Sequence, residues 1–120
     1  MGAIAIESDG GELTGREGRQ RVLCELPALE VLELHFDPDF EGVELHTHAD
    51  HTDCFYVLAG EAEFTIDGAT MRALPGAFVA APNGTVHGFQ NVGGSELVML
   101  NIHAPGTGWI DRLRNQQPGQ

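Results

Sequence analysis

Gly42-Val43-Glu44-Leu45-His46-Thr47-His48-Ala49-Asp50-His51-Thr52-Asp53 runs directly into Cys54-Phe55-Tyr56-Val57-Leu58-Ala59-Gly60. Phe55 to Leu58 are β-formers closed off by a glycine, which marks a short strand. His46 and His48 are two apart, so on a strand they share a face, with Cα atoms roughly 6.5–7 Å apart. Imidazoles so placed converge on one cation at about 2.0–2.2 Å each. A sharp turn over Ala49 to Thr52 would return Asp53 on the neighbouring strand as a carboxylate ligand. Taken alone, a His-x-His pair also suits an exposed polar loop. The nearby carboxylate and a distant strand histidine, His87, move the reading toward metal.

Outward from this stretch the chain reads as strands. Leu32, Leu34 and Phe36 alternate with Val31, Glu33 and His35, a period of two. Phe64-Thr65-Ile66 leads into Asp67-Gly68, a strong two-residue hairpin turn, and Met71 to Leu74 returns. Pro75-Gly76 and Pro82-Asn83-Gly84 break the chain on either side of Ala77 to Ala81, and Val86 to Asn91 and Glu96 to His103 supply two more strands. Short strands at regular spacing, with turn chemistry between them, predict an antiparallel all-β sandwich or barrel. Thr107 to Asn115 is the one segment with helical character. The 120 residues fit a single domain.

Charge narrows the function. Eighteen acidic residues face six arginines and no lysine, for a formal charge of −12. Such a surface repels phosphate backbones and anionic lipid, so neither nucleic acid nor membrane is an expected partner. The absence of lysine removes Schiff-base chemistry. Met1 to Ile4 has neither a basic flank nor a long apolar run, so a cytoplasmic location is expected. Cys24 and Cys54 are expected to be free thiols, with Cys54 acting as a small buried hydrophobe.

The two punctuated stretches are where a family resemblance becomes specific. Residues 42–60 resemble the first cupin motif, with His46 and His48 as His-x-His, four residues, the carboxylate Asp53, six residues and Gly60. Residues 76–91 resemble the second motif at Gly76, Pro82, Gly84, His87 and Asn91. The likeness is to small single-domain cupins of the conserved-barrel type. It implies an antiparallel jelly-roll β-barrel over residues 21–115, an N-terminal segment 1–20 serving as an edge or swapped strand through Ala3 to Ile6, and a tail at 116–120. It also implies one divalent transition metal per chain (Fe, Mn, Ni, Zn or Cu), with His46, His48 and His87 at the family's histidine positions and Asp53 at its glutamate position.

Two departures matter. Gly42 stands closer to the histidines than in the family pattern, which affects a loop. Asp53 is shorter than glutamate by one C–C bond, roughly 1.5 Å. It therefore ligates after a small backbone shift, binds through a water, or leaves its position to His51 or Asp50.

The resemblance implies a metal-dependent enzyme acting on a small organic molecule, with dioxygenase-type oxidation favoured over isomerisation or decarboxylation. The alternative is a barrel that binds a small ligand or holds a structural metal without turnover. Tyr56 and Glu44 are the only extra polar groups that stand out near the first motif, while His35 and His103 are expected to be hydrogen-bonded structural histidines. Phe55, Val57, Phe64, Phe89 and Met99 are expected to line the barrel, with Phe55, Phe64 and Phe89 bordering its mouth. A homodimer is expected, because the sheet edges of a small barrel need covering and closed pairs are the commonest assembly.

Overall fold

Along Leu29–Phe36 half-buried and buried side chains alternate strictly, so the period-two pattern of the sequence becomes a strand with one face on a core. In the computed structural model, residues 12–15, 18–40 and 42–116 are described, with side chains from Gly18 onward. Ten strands and one helix follow in order: β1 (Glu12–Gly15), β2 (Gly18–Leu26), β3 (Leu29–Phe36), β4 (Val43–His46), β5 (Thr52–Ala59), β6 (Ala62–Ile66), β7 (Ala69–Ala73), β8 (Phe78–Ala81), β9 (His87–Asn91), β10 (Leu97–Ala104) and α1 (Trp109–Arg114). The strands form a six-stranded sheet, β1-β2-β3-β10-β5-β8, and a four-stranded sheet, β4-β9-β6-β7. Their pairings are antiparallel. This is the expected jelly-roll barrel. The Ala3 to Ile6 segment lies outside the described residues.

Between the sheets sit Leu32, Leu34, Phe36, Phe55, Val57, Phe64, Phe89, Leu97 and Met99, all buried. Each large apolar side chain contributes about 1.5–3 kcal/mol through burial. Phe55, Phe64 and Phe89 form a ring triangle with centroids 5.1, 5.2 and 5.5 Å apart. The five residues expected to line the barrel are all in this core.

Turn chemistry acts where the sequence announced it. Asp67 and Gly68 both take positive φ, 50° and 85°, giving the tight hairpin between β6 and β7. Gly60 has φ 86°, and a Cβ there would stand 2.4 Å from the Glu96 carbonyl oxygen, so the position accepts glycine alone. The Pro82–Gly84 turn reaches across to the other motif. The Gly84 N–H donates to the His48 carbonyl at 2.6 Å, and the Asn83 amide donates to the Ala49 carbonyl at 3.4 Å. The second motif's turn thereby props the loop that carries His48.

The C-terminal helix buries Ile110 and Leu113. Its entry is fixed by Glu30, whose carboxylate accepts from the Thr107 N–H and hydroxyl, both at 2.9 Å, and from the Gly108 N–H at 3.1 Å. Burial alone would raise the Glu30 carboxyl, but these donors and His103 hold it below the usual range.

Candidate metal centre

His46 ends β4, and its cross-strand partner on β9 is His87. Their rings lie 4.4 Å apart, centroid to centroid. β4 stops at His46, so His48 stands in the following loop instead of on the same strand. Asp53 likewise does not return on a neighbouring strand. It belongs to β5 in the opposite sheet, so its carboxylate meets the histidines across the interior of the barrel. His46, His48, Asp53 and His87 are nonetheless brought together, with one ligand atom from each lying within 4.8 Å of the others.

Proton bookkeeping shows why these donors suit a cation. The Nδ1 of His46 lies 2.8 Å from the Glu44 carbonyl, and that of His87 lies 2.9 Å from the Thr85 carbonyl. A carbonyl only accepts, so both Nδ1 atoms carry their proton and both Nε2 atoms are left for a ligand. His87 Nε2 lies 2.9 Å from Asp53 Oδ2. With Asp53 ionised, that nitrogen must be protonated too, making His87 an imidazolium. Burial alone would lower the His87 pKa, but the Asp53 carboxylate and the Thr85 carbonyl outweigh it and raise it. Burial likewise opposes ionisation of Asp53, yet the His87 hydrogen bond, the His103 charge and the Asn101 amide hold its carboxyl below the usual range. Loss of that proton would free both His87 Nε2 and the Asp53 carboxylate as donors to a metal ion.

His48 behaves oppositely. Burial, the His51 charge and the other two histidines push its pKa down to about 4, against a smaller opposing pull from Asp53 3.7 Å away. It is therefore neutral and ready to ligate across the working range. His87 is the ligand that must lose a proton. Metal retention should fall as pH drops, and the fall should begin above about 6.5, the ordinary histidine value. Equilibrium dialysis against zinc between about pH 5 and 8 reads this directly. Retention that stays flat over that range, or rises on acidification, contradicts it.

A trio shares Asp53 with this set of four. His51, Asp53 and His103 are 6, 4 and 8 % exposed and also bring ligand atoms within 4.8 Å of one another. His51 Nδ1 donates to Asp50 Oδ1 at 2.9 Å, and its buried Nε2 has no hydrogen-bond partner. His103 Nδ1 donates to Glu30 Oε1 at 3.2 Å, with Nε2 turned toward Asp53 Oδ1 at 3.6 Å. Each imidazole is oriented by a carboxylate behind it. Sequence reasoning missed this pair of dyads and singled out Tyr56 and Glu44, which are at the surface. The available signal was parity: Glu30 shares a phase with Leu32 and Leu34, and His103 shares one with Leu97 and Met99.

His46, His48, Asp53, His51 and His103 line one cavity of about 280 Å³, just under the usual size of small-molecule sites. Its apolar wall includes Leu34, Phe36, Phe55 and Phe89, and Trp109 and Arg112 of α1 also line it. Phe64 was expected at the mouth but belongs to the core beneath, where its ring packs on Phe55 and Phe89. Cys24 and Cys54 are free, and burial followed by the Asp53 charge raises the Cys54 thiol, so it stays protonated.

The barrel has counterparts among known proteins. The chain superposes on the structure of KdgF from Halomonas sp. with a TM-score of 0.76 and 21 % identity, covering 92 % of this chain and 99 % of that one. An RmlC-like cupin from Shewanella frigidimarina NCIMB 400 gives 0.69 and 22 % over 77 and 79 % of the two chains. At these identities the likeness is one of fold. A protein described as a putative sugar phosphate isomerase from Acidithiobacillus ferrooxidans ATCC 23270 gives 0.61 and 25 %, over 72 % of this chain and 59 % of that one. In sequence, an uncharacterized protein of Aquifex aeolicus (strain VF5) is 36 % identical over 70 residues, 58 % of this chain and 56 % of that protein's length. The Cupin_2 family, the cupin domain, matches residues 32–103, a span that contains both histidine motifs, Asp53 and the strand that bears His103. The chain belongs to the cupin family.

Proposed function

We propose that this cupin is a metal-dependent enzyme that moves a proton on a small organic molecule, as in an isomerisation or related enolisation. The reading rests on one observation: the buried, unpartnered Nε2 of His51 belongs to a residue that shares a cavity wall with His46, His48 and Asp53, three of the four clustered donors, with His87 the fourth. Those four would hold one divalent ion, and the bound ion would supply Lewis-acid polarisation of a substrate oxygen. His51 is placed to take or return the proton, since Asp50 fixes its tautomer and leaves Nε2 open. His103, set by Glu30, faces the same space from β10 and can hold the opposite end of a transferred proton's path. Leu34, Phe36, Phe55 and Phe89 give the same cavity an apolar wall.

Two carboxylate-backed imidazoles suit proton transfer, a role that oxygen activation at a metal does not itself need. The emphasis therefore moves from dioxygenation, expected from the family resemblance, to isomerisation. A direct test incubates zinc-loaded protein with a panel of small keto compounds in D₂O and follows deuteration by NMR. Exchange is expected with redox-inert zinc, slowed at least about a hundred-fold by His51→Gln. Oxygen consumption confined to the Fe(II)-loaded protein, without exchange under zinc, would instead establish the dioxygenase.

The same proposal extends to assembly. Leu100, Tyr56 and Phe78 are cross-strand neighbours on the outer face of the six-stranded sheet, with Phe78 59 % exposed. Ile102, Cys54 and Ala80 form the next such row. A second copy covering this apolar face would give a homodimer. Light scattering at micromolar protein should read a dimer mass, reduced to a monomer by Phe78→Glu. A monomeric parent protein would remove this part of the proposal.

A further inference from the structure

Five of the six arginines fall among the described residues, and four of these face a carboxylate. Arg19 pairs with Glu96 at 3.3 Å, Arg21 with Glu33 at 3.9 Å, Arg72 with Glu61, and Arg114 with both Glu25 at 2.7 Å and Asp111 at 3.1 Å. Arg112 is the exception. Its contacts among the described residues are the Thr107 carbonyl, which accepts from Nη1 at 3.4 Å, and the face of Trp109, 5.7 Å from the ring centroid. In a chain with eighteen acidic residues, an arginine free of carboxylates on a cavity wall calls for an anionic partner.

Its platform is built. The Trp109 indole N–H donates to Gln20 Oε1 at 3.4 Å, and the Trp109 backbone N–H donates to Thr107 Oγ1 at 3.1 Å. Gln20 is itself buried. Trp109 is thus held through its indole and its backbone, and the guanidinium rests over the ring with most of its five N–H donors uncommitted.

We infer that Arg112 is a carboxylate-recognition group, so that the cavity takes a small monocarboxylate whose other end reaches the histidine cluster. The inference deepens the proposed function by naming the charge of its substrate, and it rests on that reading for the identity of the cavity. The planar fork of arginine matches a carboxylate bidentately. One fixed positive charge, with no lysine anywhere in the chain, suits a monoanion better than a phosphate dianion. Between the two polar ends, Leu34, Phe36, Phe55 and Phe89 supply an apolar wall for the body of the molecule.

The test uses the chain's single tryptophan, Trp109, as an internal fluorescent probe on the cavity wall. Zinc-loaded and metal-stripped protein are titrated with benzoate, benzamide and phenyl phosphate, and metal content is measured on the same samples. Benzoate should perturb Trp109 saturably and bind at least about ten-fold more tightly than benzamide, in both metal states. Arg112→Gln should abolish that preference while leaving benzamide unchanged, and Arg112→Lys should restore part of it. Arg112 is exposed, so neither variant threatens the fold. Equal binding of benzoate and benzamide, or a benzoate preference that survives Arg112→Gln and vanishes on metal removal, overturns the inference and leaves the metal-enzyme reading standing. Tighter binding of phenyl phosphate than of benzoate overturns the carboxylate assignment. No response to any probe overturns it as well. Absence of metal from the loaded protein defeats the parent reading separately.

Discussion

His87→Ala should strip the metal from a protein that still folds. His87 is the ligand buried most deeply, directly across the strand pair from His46, and it alone brings the β9 side of the barrel to the cluster. Without it, His46 and His48 approach from one side and Asp53 from the other, with nothing to close the shell. Loss of groups that only orient a metal ligand costs about 10–100-fold in affinity, so loss of the ligand itself should exceed about a hundred-fold. Elemental analysis after dialysis reads the outcome, with circular dichroism to show that the barrel persists. His87→Gln provides a variant of closer volume should the alanine protein fold poorly. His35→Ala, which removes a histidine that hydrogen-bonds Glu33 on the other side of β3, should keep its metal. Full occupancy in either His87 variant would place the site elsewhere.

The largest effect on stability should come from Asp53→Ala. In the metal-free protein this carboxylate is buried, accepts from the Asn101 amide at 2.7 Å and lies 2.9 Å from His87 Nε2. Its removal leaves the His87 charge and the Asn101 amide without their partner. Breaking a buried pair in this way typically costs about 3–5 kcal/mol, which lowers the melting temperature by on the order of 10 °C in a chain of this size. The pH dependence carries a definite sign. Asp53 has a lowered pKa, so its contribution is present above the ordinary aspartate value and is lost as pH falls through the lowered one. His87 has a raised pKa, so its contribution is complete below the ordinary histidine value and is lost as pH rises through the raised one. The destabilisation should therefore be greatest in mildly acidic solution and shrink in both directions. Asp53→Glu, which reaches further, should retain or tighten metal binding where Asp53→Ala weakens it. Thermal melts of metal-free protein from about pH 3 to 8 check the first claim and zinc titrations the second. An Asp53→Ala protein with unchanged melting and unchanged zinc affinity would pass the ligand role to His51.

What the sequence determined by itself was everything carried by local spacing. The alternation from Val31 to Phe36 fixes which side chains enter the core, because side chains on a strand change face at every residue. Asp67-Gly68 fixes a hairpin, because its turn needs positive φ at both positions. The spacing of His46, His48, Asp53 and Gly60, and of Gly76, Pro82, Gly84, His87 and Asn91, announces the family and the cluster. Tertiary structure alone decided which sheet each donor comes from. Asp53 lies five residues beyond His48 but belongs to the opposite sheet, because the turn between them passes the chain over the barrel's edge. It also decided the trio that shares Asp53. His103 and Glu30 are 73 residues apart, and β10 lies beside β3 only once the barrel has formed. Arg112 reaches the cavity only because Ile110 and Leu113 are buried and Glu30 holds the start of the helix. Residue spacing encodes which face a side chain takes; which faces meet is set by the pairing of strands far apart in the chain.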